Sequence, residues 1–221
     1  MTIRTHRLPA EVAIDRRTLL LGAAGLTGTA LLLRSAPAWA APQVQQPAPN
    51  FSVVDSTGAT QSLTALRGKI VALEWTNHDC PYVRKHYGAS NMQNLQREVT
   101  GAGGVWFTVI SSAQGEQGYV PADQANNLTK SRNAAPTAVL LDTKGTMGRA
   151  YSAQTTPHMY VINQQGMLVY MGGIDSIATT RAADLQQAIP YFHDAFRAVL
   201  EGKPVQNAVT RPYGCSIKYS A

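Results

Sequence analysis

The order of predicted secondary structure indicates an α/β domain with a mixed, mostly parallel central sheet covered by helices on both faces. Two observations favour this class. Short apolar runs of strand length alternate with stretches of helical periodicity, which is the pattern of a parallel sheet. Late in the chain, two apolar runs flank a short polar turn, which indicates a hairpin at an edge of the sheet.

The first half of the domain is predicted to form a hairpin, a buried strand, a helix and a second buried strand. These elements cover residues 51–63, 69–75, 81–99 and 105–110. Pro81 marks the start of the helix, because proline suits the first helical turn. We expect Gly88 to kink this helix.

The second half is predicted to form a helix, a strand, a short helix, a hairpin and a final long helix. These elements cover residues 121–132, 137–141, 147–151, 158–171 and 182–200. The hairpin turns at residues 163–166. Pro190 is expected to bend the last helix, because proline removes a backbone donor.

The N-terminal residues have the features of an export signal. Arg16 and Arg17 precede an apolar stretch, residues 19–33, and the small-x-small triplet ending at Ala40 precedes Ala41. The arginine pair resembles a twin-arginine signal. An ordinary secretory signal with a chance arginine pair is the alternative. Glycines interrupt the apolar stretch, which is shorter than the roughly 20 residues of a membrane span, so no stable membrane anchor is expected.

These features divide the chain into three parts. Residues 1–40 are interpreted as a signal peptide, residues 41–49, rich in proline and glutamine, as a linker, and residues 50–221 as one domain. Cleavage near Ala40 predicts a periplasmic or secreted bacterial protein. That compartment is oxidising, so redox pairing of the two cysteines of the chain, Cys80 and Cys215, is allowed.

The charge of the chain argues against a nucleic-acid partner. The formal net charge is +6, but residues 41–221 carry 14 basic and 11 acidic residues. This excess is small and scattered, whereas nucleic-acid binding needs a clustered basic surface.

Cys80 is the leading candidate for a reactive group. It lies where a predicted buried strand gives way to a predicted helix, directly before Pro81. A helix N-terminus presents unpaired N–H groups and partial positive charge, and both favour the nucleophilic thiolate. The alternative is an inert, buried cysteine.

Thr156 and Pro157 form the second notable feature, because they directly precede a predicted strand. An X-Pro bond at this place is either a deliberate cis turn or an ordinary trans proline at the start of a strand.

Several segments together resemble the redoxin family, the alkyl hydroperoxide reductase/thiol-specific antioxidant relatives of thioredoxin. Asn50-Phe51-Ser52-Val53-Val54-Asp55 with Gly58, followed by Leu63 to Trp75, is similar to the opening of the family, and Asn77-His78-Asp79-Cys80-Pro81-Tyr82-Val83 to its active-site turn. Further similar segments are Thr156-Pro157, Val161-Ile162-Asn163, Gly173-Ile174-Asp175 and the tail Arg211–Lys218. The resemblance spans residues 49–218 and implies a thioredoxin-like fold.

The resemblance also implies a function and a set of site residues. Cys80 is expected to be the nucleophile of a thiol oxidoreductase or peroxiredoxin-like protein, with Thr76, Asn77, Thr156 and Pro157 binding the substrate. The substrate would be a peroxide or a disulfide, the electrons would come from a thiol reductant protein or a small thiol, and no bound cofactor is expected.

Two departures from the family's pattern affect the expected chemistry. Related proteins often carry a Cys-x-x-Cys pair, but Asn77 stands at the earlier position, so Cys215 is the remaining thiol that could resolve an intermediate on Cys80. A static disulfide or an idle thiol are the alternatives for Cys215. Asn77 also stands where peroxiredoxins usually carry threonine or serine.

Two other functions remain open from the sequence. One is a non-enzymatic binding module that has lost the cysteine pair. The other is a metal-handling module, for copper, in which His78, Cys80 and His158 bind the ion.

Overall fold

The computed structural model describes residues 41–220, which fold around a five-stranded mixed sheet. Its strands and helices are β1 (Ser52–Val54), β2 (Thr60–Ser62), β3 (Val71–Trp75), α1 (Pro81–Gly88), α2 (Asn91–Gly101), β4 (Val105–Ile110), α3 (Ala122–Ser131), β5 (Ala138–Leu141), α4 (Thr146–Ala150), β6 (Thr155–Thr156), β7 (His158–Ile162), β8 (Leu168–Gly172), α5 (Tyr191–Leu200) and β9 (Cys215–Ser216). The predicted signal peptide, residues 1–40, lies outside the described residues.

The central sheet has the strand order β5-β4-β3-β7-β8. Strand β3 pairs in parallel with β4, and β4 with β5, whereas β7 pairs antiparallel with both β3 and β8. The prediction of a mixed sheet with a late antiparallel hairpin is confirmed. Two of the four strand pairings are parallel, and four of the five strands, β3, β4, β5 and β8, run in the same direction.

The alternation of side chains along β3 divides the apolar core between the two faces of the sheet. Val71, Leu73 and Trp75 point to the face covered by the β1–β2 hairpin and α4. Ala72 points to the other face, where α1, α2 and α5 pack. Helices therefore lie on both faces, as the sequence predicts.

Two predicted helices differ from the structure for local backbone reasons. The segment 81–99 forms two helices, because Ser90 adopts a left-handed conformation with φ of 58°. The predicted helix 182–200 is a short 3-10 turn followed by α5, which begins directly after Pro190. Proline cannot donate a backbone hydrogen bond to the preceding turn, so it starts the helix instead of bending it.

The segment predicted as a linker, residues 41–49, runs beside the start of β8. The N–H of Gln45 donates to the carbonyl of Leu168 at 2.7 Å, and the N–H of Ala48 donates to Gly166 at 3.0 Å. Ala48 is buried in the core. Part of this segment is therefore packed onto the domain. Among residues 41–220, no helix is long and apolar enough to cross a membrane.

Candidate active site

Cys80 lies at the N-terminus of α1 with its side chain fully buried. The loop from β3 to α1 is shaped by Asn77, whose side-chain oxygen accepts the N–H of Asp79 at 2.8 Å and whose carbonyl accepts the N–H of Cys80 at 3.1 Å. Cys80 has extended backbone angles and directly precedes Pro81. The residue has 0% of its surface exposed. The sequence thus places the thiol at a helix N-terminus, as predicted.

The cis-proline loop forms one wall around the sulfur. Of the two alternatives for the Thr156–Pro157 bond, the structure has the cis form. The Cys80 thiol donates to the carbonyl oxygen of Thr156, with 3.0 Å between Sγ and the oxygen. The structure therefore brings Thr156 and Pro157 to the thiol.

The C-terminal tail forms a second wall and carries Cys215 to Cys80. Strand β9 pairs antiparallel with β6, with Cys215 opposite Thr156. The N–H of Cys215 donates to Sγ of Cys80 at 3.4 Å, across 135 positions of sequence. Both cysteines are free thiols, and Cys215 is partly exposed. These two-residue strands are too short to leave a periodic signal in the sequence.

The surroundings of the two thiols shift their acidities in opposite directions. Burial alone would raise the pKa of Cys80, but hydrogen bonds from Cys215, the N–H of Val83 and Thr156 outweigh it and lower this pKa. Burial raises the pKa of Cys215 to about 11, and the neighbouring Cys80 adds to the rise. Cys80 is therefore the more acidic of the two thiols, and a thiolate is the nucleophilic form.

Thr76, Asn77 and His78 precede Cys80, but among the described residues no hydrogen bond joins their side chains to its sulfur. Thr76 Oγ1, Asn77 Nδ2 and His78 Nδ1 are buried and have no hydrogen-bond partner among the described residues. Asn77 is packed beneath Gly118, where a Cβ atom would lie 2.6 Å from the Asn77 Cγ. Thr76 and His78 line a cavity of about 30 Å³ that Arg132 also lines. The structure gives no contact between these side chains and Cys80 Sγ.

A match to a family model agrees with this geometry. The model of the AhpC/TSA family matches residues 44–171. The chain belongs to the AhpC/TSA family. The match contains Cys80 and the cis-proline, and it ends before the tail that carries Cys215. No curated protein sequence matches the chain.

Solved structures with similar folds support the thioredoxin-like fold. A hypothetical protein from Sinorhizobium meliloti has a TM-score of 0.66 and 21% identity, covering 82% of this chain and 97% of its own. An uncharacterized conserved protein from Geobacillus kaustophilus has a TM-score of 0.69 and 21% identity, covering 80% and 93%. A putative protein disulfide isomerase from Bacteroides thetaiotaomicron has a TM-score of 0.52 and 17% identity, covering 72% and 91%. At these identities, the likeness shows the fold alone.

The third sequence hypothesis, a metal site, receives no support from the side-chain positions. Among residues 41–220, no group of three histidine, cysteine or acidic side chains could hold a metal ion. His158 Nδ1 faces the N–H of Gln154 and the hydroxyl of Tyr160, each at 3.3 Å. His78 faces Asp79 at 3.4 Å. In this member of the AhpC/TSA family, His78, Cys80 and His158 therefore do not form one site.

The buried His158 makes a testable contribution to stability. Burial lowers the pKa of His158 from 6.5 to about 3. Its folded pKa lies below its unfolded value, so the contribution is fully present above pH 6.5 and declines as the pH falls towards 3. At pH 4.5 the unfolded histidine is protonated and the folded one is neutral, which costs about 2–3 kcal/mol of stability.

We expect His158→Gln to reduce this acid sensitivity. The measurement is the free energy of unfolding in urea at pH 7.5 and pH 4.5. Between pH 7.5 and pH 4.5, the free energy of unfolding of the variant should fall by about 2–3 kcal/mol less than that of the native chain. His193→Gln is the matched control, because the His193 side chain is 37% exposed. If the free energy of unfolding depends on pH equally in the native chain and in His158→Gln, His158 is not the source of the acid sensitivity.

Two buried polar groups near the site were missed by the sequence prediction. Glu74 lies inside β3 and is fully buried, which raises its pKa, while four side chains donate to its carboxylate. The donors are Tyr87, Trp106, Thr108 and Gln96. The glutamate within an otherwise apolar run was the available signal. The second is the buried cluster in which Lys85 donates to Asp175 and to the Tyr213 hydroxyl. These residues are far apart in sequence, so no local pattern predicts their contact.

Proposed function

We propose that this protein is an exported thiol oxidoreductase of the redoxin type, with Cys80 as the nucleophile and Cys215 as the resolving thiol. The observation that carries the proposal is the contact between the N–H of Cys215 and Sγ of Cys80, at 3.4 Å. A lowered pKa at Cys80 and a raised pKa at Cys215 support the same division of roles. Export is inferred from the arginine pair and the cleavage signal before Ala41.

With a peroxide substrate, the proposed reaction has two steps. The Cys80 thiolate attacks one peroxide oxygen, the O–O bond breaks, and an alcohol or water leaves once protonated, so that Cys80 becomes a sulfenic acid. Cys215 then attacks the sulfenic sulfur, a Cys80–Cys215 disulfide forms, and water leaves. The two cysteines together supply the two electrons that reduce the peroxide.

With a disulfide substrate, the same two thiols act by exchange. The Cys80 thiolate attacks one sulfur of the substrate, the substrate S–S bond breaks, and one substrate thiol leaves. Cys215 then attacks Cys80 in the mixed disulfide and releases the second substrate thiol. Asn77 cannot take this role, so the resolving step depends on the distant cysteine.

In either case, the cycle closes when an external thiol reduces the Cys80–Cys215 bond. The proposed electron donor is a thiol reductant protein or a small thiol, and no bound cofactor is needed for these steps. Cys80 has no exposed surface. The substrate therefore reaches the sulfur only when the tail or the cis-proline loop opens locally.

The proposal is tested by measuring the intact mass of the mature chain after mild peroxide treatment. We expect the native chain to lose two hydrogens, with Cys80 and Cys215 recovered in one disulfide-linked peptide. We expect Cys215→Ser to gain one oxygen, which a sulfenic-acid reagent should trap, because no second thiol completes the reaction. The serine keeps the main-chain N–H on Cys80, so the first step is preserved. If both chains gain one oxygen alike and no Cys80–Cys215 bond appears, Cys215 is idle.

A further inference from the structure

The C-terminal tail, residues 211–220, is fixed to the domain on both sides of Cys215. After Cys215, the N–H of Ile217 donates to Gln154 at 2.9 Å and the hydroxyl of Tyr219 donates to the carbonyl of Ala153 at 2.8 Å. Before Cys215, the attachment is Tyr213, which reaches a buried polar cluster at α1. The short strand β9 is therefore held at its two ends as well as by its pairing with β6.

Tyr213 ends in a cluster that is almost completely removed from water. Its hydroxyl donates to Asp175 and accepts from Lys85 Nζ at 3.2 Å. Lys85 also donates to Asp175 at 3.3 Å, and their side chains are 0% and 5% exposed. His86 Nε2 lies 3.3 Å from the same hydroxyl. Burial and the adjacent Lys85 lower the pKa of His86 to about 4, so this histidine is neutral at pH 7.

The ring of Tyr213 adds apolar contacts with α1. It packs edge-on against Tyr82, with 5.7 Å between the ring centroids, and Lys85 Nζ lies 5.2 Å from its centroid. Helix α1, which holds Tyr82, Lys85 and His86, begins directly after Cys80. Tyr213 thus fastens the tail to the same helix whose N-terminus carries the nucleophile.

Gly214 allows the next residue of the tail to approach the cis-proline loop closely. It has a φ of +136°, and a Cβ atom on it would overlap the carbonyl oxygen of Thr156. An alanine at this position would therefore push the tail away from Thr156, or require a strained backbone. Tyr213 and Gly214 act on the same segment through two unrelated contacts.

We propose that Tyr213 is a positioning residue that fixes β9 over Cys80, so that the N–H of Cys215 stays hydrogen-bonded to the Cys80 sulfur. The inference deepens the proposed function and rests on it for the role of Cys80. The anchor acts through the main-chain N–H of Cys215, which donates to the Cys80 sulfur. The resolving role in the proposed function belongs to the Cys215 thiol instead. A charged acceptor gains more from such a donor than a neutral thiol does, so the anchor favours the thiolate.

The test is the pH profile of Cys80 alkylation by iodoacetamide, measured with Cys215→Ser as the parent chain, so that Cys80 is the only thiol. We expect Tyr213→Phe, which keeps the ring and removes the hydroxyl, to raise the midpoint of the profile by about one pH unit, because a donor to the thiolate is lost. We also expect its plateau rate to rise about tenfold, because the tail opens more often. The other groups that contact the Cys80 sulfur, the N–H of Val83 on α1 and the carbonyl of Thr156 in the cis-proline loop, are unchanged in Tyr213→Phe.

Gly214→Ala provides an independent variant of the same segment and should shift the midpoint in the same direction. Tyr151→Phe is the matched control, because Tyr151 is a buried tyrosine whose hydroxyl donates to Pro49 instead of holding the tail. A merely structural role of Tyr213 would lower stability without moving the alkylation midpoint. An unchanged midpoint in Tyr213→Phe overturns the proposal, whether or not Gly214→Ala shifts. Because alkylation needs no turnover, this result is separate from a failure of the proposed oxidoreductase activity.

Discussion

Cys80→Ser is expected to abolish reactivity towards peroxides and small disulfides, with a loss of at least about 100-fold. A serine hydroxyl is not ionised near neutral pH and cannot replace the thiolate. Cys215 is a poor replacement, because burial, which does not depend on Cys80, raises the pKa of the Cys215 thiol. The measurement is the consumption of peroxide and of a small aromatic disulfide under single-turnover conditions.

Cys215→Ser is the matched control for this experiment, since it removes the other thiol of the chain and leaves Cys80 in place. It should complete one reaction and then stop. If Cys80→Ser reacts as fast as the native chain, Cys80 is not the nucleophile. If the native chain itself neither forms a thiolate at neutral pH nor reacts, the non-enzymatic binding module replaces the oxidoreductase as the function.

Replacing Arg16 and Arg17 together with lysine is expected to stop export of the chain almost completely. Lysine keeps the positive charge but lacks the planar guanidinium group, so a receptor that reads the arginine pair loses its contacts. The measurement is fractionation of bacterial cells that express the full chain, followed by N-terminal sequencing of the exported protein. In the native chain the exported form should begin at Ala41.

Arg4→Lys with Arg7→Lys is the control, because it changes two arginines of the same segment outside the pair. This control should be exported normally. Normal export of the Arg16 and Arg17 variant would assign the chain to the general secretory route. An exported protein that still contains Arg16 and Arg17 would show that residues 1–40 are not a cleaved signal.

Local sequence patterns were sufficient to predict most of the fold. The apolar runs of β3, β4 and β7 are buried throughout, and such runs are visible without any knowledge of their partners. Two helix boundaries were predicted wrongly, because each depends on the conformation of the backbone at one position. Ser90 takes a left-handed conformation that separates α1 from α2, and Pro190 starts α5 instead of bending a longer helix. Such effects depend on packing as well as on residue type.

The sequence by itself determined the position of Cys80 at a helix N-terminus and placed Pro157 directly before β7, because adjacent residues mark both, whereas the structure decided that the Thr156–Pro157 bond is cis. Only the tertiary structure decided what surrounds the sulfur. The pairing of β6 with β9 brings Cys215 to Cys80, while Thr76 Oγ1 and Asn77 Nδ2 are buried without a hydrogen-bond partner among the described residues. The buried contact of Tyr213 with Lys85 and Asp175 joins three distant parts of the chain. Polar groups that folding removes from water need hydrogen-bond partners, and these partners come from distant parts of the chain. A local sequence pattern therefore cannot predict such contacts.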